Sequence, residues 1–127
     1  MKKTAHFTAP LMSDAKWRKF FNTTAQFSDR VFRAQWKLID EAKPLEGGLP
    51  RPEDIWESEV DGCLGGPIAY RQIEWIELPR EVPSRHYSNA PIARKLQDLD
   101  SLRVALGAAQ FPLTETNDGL RISGYHR

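Results

Sequence analysis

From Phe32 to Leu38 the chain alternates, with Phe32, Ala34, Trp36 and Leu38 interleaved with Arg33, Gln35 and Lys37. Successive side chains of a strand point to opposite faces, so this stretch predicts a strand with an apolar core face and a basic face in water. A second run, Ile68 to Leu78, follows a glycine-proline turn and is rich in β-branched and aromatic residues. One of its faces would hold Ile68, Tyr70, Gln72, Glu74, Ile76 and Leu78, the other Ala69, Arg71, Ile73, Trp75 and Glu77. Large apolar residues on both faces predict a strand in the middle of a sheet, with Trp75 buried. Truncating such a Trp75 to Ala would cost about 3–5 kcal/mol.

Helical spacing occurs twice. Trp17, Phe20, Phe21 and Thr24 predict a helix from about Asp14 to about Ala25, capped by Ser13 and stapled by Met12 and Trp17. Ile92, Leu96, Leu99, Leu102 and Leu106 repeat the pattern, with Ala105, Ala108 and Ala109 permitting close packing. Asp100 is a candidate cap inside this region, with Leu99 and Val104 as its staple, and the spacing leaves open whether there is one helix or two. The chain ends as a hairpin, Phe111–Thr116 and Leu120–Tyr125, around Asn117-Asp118-Gly119, residues that tolerate positive φ angles.

Between these elements, residues 43–53 hold three prolines and two glycines and read as a loop. Residues 55–61 alternate in the manner of a short strand, although Pro52-Glu53-Asp54 also suits one helical turn. A glycine-rich connection, residues 61–66, then leads to the central strand. These patterns describe an α+β domain: a largely antiparallel sheet of about four to five strands, an N-terminal helix and a C-terminal helical region on one face, and a terminal β-hairpin. Residues 1–12 read as a flexible arm and 13–127 as one domain.

The 127 residues suit a single domain, and 40% apolar with 28% charged residues argue against disorder. No apolar run approaches the roughly 18 residues that span a bilayer. Met1-Lys2-Lys3 is followed by His6, Thr8, Pro10, Ser13 and Asp14, not by a signal-peptide core, and Cys63 has no second cysteine to pair with. Both features point to the cytoplasm. The net charge of +1 hides an uneven distribution, for residues 44–83 alone carry three basic and nine acidic side chains.

Candidate chemistry is sparse. No phosphate-binding, dinucleotide-binding, serine-hydrolase or zinc-protease motif occurs, and neither the EF-hand spacing nor a zinc spacing is present, so no cofactor or metal is expected. The basic face of the 32–38 strand is too narrow to favour nucleic acid. Glu53, Asp54, Glu57, Glu59 and Asp61 crowd around Trp56, and an aromatic anchor ringed by charge suits capture of a basic protein partner. The bland explanation is a core Trp56 beside a charged, solvated sheet edge. A different class of function, ligand binding or a small enzyme, would use a pocket near residues 61–66 with Cys63 and His86. Asp61 and Glu59 beside Cys63 oppose the thiolate that such chemistry needs.

The segments GGPIAYRQIEWIEL (Gly65–Leu78) and GLRISGY (Gly119–Tyr125) resemble a family of small uncharacterised bacterial proteins over most of residues 13–125. The resembling motifs are structural and carry no catalytic residue. Small cytoplasmic domains of this sort include immunity proteins, so the resemblance implies a binding module whose partner is a protein such as a toxin. The near-neutral charge departs from the acidic character of many nuclease inhibitors.

Overall fold

The computed structural model describes residues 9–83, 94–107 and 111–126. Within them the elements run β1 (Ala9–Pro10), α1 (Asp14–Ala25), β2 (Ala34–Leu38), β3 (Leu45–Gly47), β4 (Glu59–Val60), β5 (Ile68–Ala69) and β6 (Ile73–Pro79). β7 (Glu81–Pro83), β8 (Arg94–Leu96), α2 (Leu99–Leu106), β9 (Leu113–Glu115), β10 (Gly119–Ser123) and β11 (Tyr125–His126) complete them. Single 3₁₀ turns lie at Pro52–Asp54 and Tyr70–Gln72. The class is α+β.

Helix α1 starts where its cap predicts: the Ser13 Oγ accepts from the Lys16 N–H at 3.1 Å, and Met12 and Trp17 are both buried as a staple. Its buried face is Trp17, Phe20, Phe21 and Thr24. The helix lies over an antiparallel sheet of order β3-β2-β6-β10-β9, in which β6 is central. The pairing sets Leu45, Trp36, Ile76, Ile122 and Leu113 side by side across all five strands. Phe21 stacks on Trp36 at 5.5 Å and on Tyr70 at 6.0 Å, which joins helix and sheet in one aromatic core.

The expected strand Ile68–Leu78 is broken in two. Ile68–Ala69 pairs with β4 in a separate ribbon, and the 3₁₀ turn at Tyr70–Gln72 separates it from β6. A bulge follows, since Lys37 faces Trp75 but the next residue, Leu38, faces Ile73, so that Glu74 is the extra residue in the register. Turn and bulge together reset the alternation. Tyr70, Ile73, Ile76 and Leu78 all reach the core, while Trp75 is half-buried on the opposite face and not in the core as expected.

The expected helical pattern over 92–106 also divides. Arg94–Leu96 is a strand paired with Glu81–Pro83, and the helix begins at Leu99. Gln97 explains the division: its Oε1 accepts from the Phe32 and Arg33 N–H groups at 2.7 and 2.8 Å, and its Nε2 donates to the Arg33 and Pro79 carbonyls. A buried amide clamping two strands holds the chain extended there. Asp98, not Asp100, is the cap, with Oδ1 accepting from the Ser101 N–H at 3.1 Å. Val104 is 82% exposed, so the Leu99–Val104 staple does not form. Ile92, Ala108 and Ala109 lie outside the described residues.

The terminal hairpin forms with Leu120 and Ile122 on the core face. Gly119 is required by proximity and not by a positive φ angle: a Cβ there would lie 2.0 Å from the Leu78 carbonyl oxygen. Of the stretch read as an arm, Ala9–Pro10 pairs with Tyr125–His126 and Met12 is buried.

Candidate functional site

Residues 52–61 form a tight, narrow hairpin. Pro52 opens the 3₁₀ turn, where the Ile55 N–H reaches the Pro52 carbonyl, and Ile55 bridges to Val60. The expected strand over 55–61 is therefore reduced to Glu59–Val60, paired with Ala69 and Ile68. The Trp56 N–H donates to the Glu59 carbonyl at 2.9 Å and closes the tip. At the base, the Asp61 N–H donates to the Asp54 carbonyl, and Gly62 turns the chain away at φ +81°.

Three side chains hold this tip. The Tyr70 hydroxyl donates to the Trp56 carbonyl at 2.7 Å, the Arg18 guanidinium on α1 donates to the Glu57 carbonyl, and the Trp56 indole N–H donates to the Glu53 carbonyl at 3.3 Å. Burial pushes the Tyr70 pKa up to about 12, against a lowering by Arg18, so this hydroxyl keeps its proton for donation. The Trp56 ring is 47% exposed, which removes the reading of a core tryptophan. Glu53 and Glu57 are exposed beside it, and Asp54, Glu59 and Asp61 are half-buried. Arg51 lies 3.6 Å from Glu53 and 3.8 Å from Asp54. Five carboxylates against the two guanidiniums of Arg18 and Arg51 leave the hairpin acidic.

Cys63 is buried behind the hairpin, with its Sγ 3.6 Å from the Asp61 carbonyl oxygen. Burial first, then the charges of Asp54 and Asp61, push its pKa up to about 12, so the thiolate is suppressed near neutral pH. The 61–66 loop packs on Gly47, where a Cβ would lie 2.6 Å from the Cys63 carbonyl oxygen. His86 lies outside the described residues. Among the described residues, no group of three or more His, Cys, Asp or Glu is set to hold a metal ion.

A second polar cluster, on the outer face of the sheet, was not legible as a site. Glu46, Gln35, Glu77, Arg121 and Thr114 form one row across the five strands, and Lys37, Trp75 and Ser123 form the next. Lys37 Nζ meets Glu74 Oε1 at 3.0 Å, with only 16% and 4% of the two side chains exposed. The basic face of β2 is thus not simply solvated: Lys37 is paired here, and Arg33 is paired with Glu46 at 2.6 Å. The signal available in the sequence was the pair of glutamates inside an otherwise apolar central strand. What it lacked was the strand order that matches each one to a cation.

Family comparison covers nearly the whole chain. The chain belongs to a family of unknown function, DUF6678, whose model matches residues 2–127. No curated protein and no solved structure matches it.

Proposed function

We propose that this family member is a non-enzymatic protein-binding module of the immunity or inhibitor type, acting in the cytoplasm and capturing a basic protein partner with the 52–61 hairpin. The observation that carries this reading is Trp56, an exposed aromatic ring on a backbone already fixed by Tyr70, Arg18 and Glu59. A preorganised aromatic anchor loses little conformational freedom on binding, and surrounding carboxylates speed encounter with a positive surface. Among the described residues no helix is long and apolar enough to cross a membrane.

The test is affinity capture from the source cell with the tagged chain, followed by mass spectrometry, with Trp56→Ala/Glu57→Lys as control. A stoichiometric basic partner should be retained by the wild type, released by added salt and lost from the folded double variant. Equal capture by both would exclude this surface.

A further inference from the structure

The outer face of the sheet carries a groove of about 360 Å³, within the size range of small-molecule sites. Leu11 and Pro112 are its apolar lining, and Glu74, Trp75, Thr114 and Arg121 line it as well. Arg121 is held there in a single orientation. Its Nε donates to Glu77 Oε1 at 3.0 Å, its Nη2 lies 2.9 Å from the same oxygen, and its guanidinium carbon lies 3.8 Å from the centre of the Trp75 ring. Salt bridge and stacking fix the plane of the fork, and Nη1 has no partner among the described residues.

A guanidinium locked on two sides with a donor edge left over is preorganised for an oxyanion. The two glutamates nearest the groove, Glu74 and Glu77, are matched by Lys37 and Arg121, so the groove repels neither sign strongly. Glu77 beside the fork does, however, disfavour a doubly charged anion such as phosphate. We propose that this groove binds a small organic carboxylate, its charged end on Arg121 and its apolar body against Leu11 and Pro112. This site is separate from the hairpin and does not depend on it.

Benzoate is the probe, titrated into ¹⁵N-labelled protein with benzyl alcohol as its neutral counterpart. Saturable shifts of the Trp75 indole and Arg121 Nε signals are expected, with a Kd on the order of 1 mM for so small a ligand. Arg121→Lys keeps the charge but loses the fork, and should weaken binding about tenfold. Thr114→Glu sets a carboxylate opposite Arg121 in the strand pairing, on an exposed edge position. That variant should stay folded and lose benzoate binding by satisfying the fork internally. No saturable shift in folded wild type, equal binding of benzyl alcohol, or undiminished binding in Thr114→Glu would each overturn the proposal.

Discussion

The hairpin and the outer sheet face both set a tryptophan among carboxylates, and they treat it in opposite ways. Trp56 stands 47% exposed, its carboxylates outnumber the nearby cations, and its three polar restraints all end on main-chain carbonyls of the tip. Trp75 is covered by Arg121, and its neighbours Glu74 and Glu77 are matched to Lys37 and Arg121. The difference lies in where the charge is compensated. On the sheet, opposite charges meet across strands and lose water together, so they couple to stability. On the hairpin the charges stay hydrated, so they contribute little to the fold and remain available to a partner.

Stability measurements on variants would sharpen or break that contrast. Lys37→Met removes a cation from the buried Glu74 and should cost about 2–3 kcal/mol in urea unfolding, toward the lower side for breaking a buried pair because Lys37 keeps some water. Trp75→Ala should cost about 2 kcal/mol, below the figure for a core tryptophan, as half of the ring area and the stacked guanidinium are lost. Tyr70→Phe should cost about 1 kcal/mol and speed amide exchange at the hairpin tip, because the Trp56 carbonyl loses its donor. Trp56→Ala and Glu57→Lys should each change stability by less than about 0.5 kcal/mol. A loss from Trp56→Ala as large as that from Trp75→Ala would end the distinction between the two regions.

Cys63 extends the comparison into alkali. Its pKa is raised from 9.0 to about 12 in the folded chain, so on raising pH the unfolded chain releases the thiol proton first. The contribution of this group to stability is fully present below pH 9 and falls as pH rises from there toward 12. Cys63→Ala should show a shallower alkaline decline than wild type, and alkylation of native Cys63 by iodoacetamide at pH 8 should be far slower than in urea. Rapid native alkylation would instead mark an accessible thiol near the 61–66 loop.

Local chemistry was sufficient where neighbours in sequence decide the structure. The limits of α1 follow from Ser13, Met12 and the spacing of Trp17, Phe20 and Phe21, because caps and helical faces involve residues three or four apart. The core face of β2 and the terminal hairpin were legible for the same reason, through strand alternation and turn residues. The acidic cluster around Trp56 was visible too, but the exposure of its ring was not.

What the sequence by itself determined is therefore the α+β class, the first helix, the central place of β6 and the composition of the hairpin. Tertiary structure alone decided the bulge that moves Ile73 into the core, the Gln97 clamp that splits the 92–106 pattern, and the matching of Glu74 to Lys37 and of Glu77 to Arg121. Each of these joins groups from 18 to 65 positions apart. Their energies depend on strand order, on register and on how much water the fold removes, none of which is written in any local pattern.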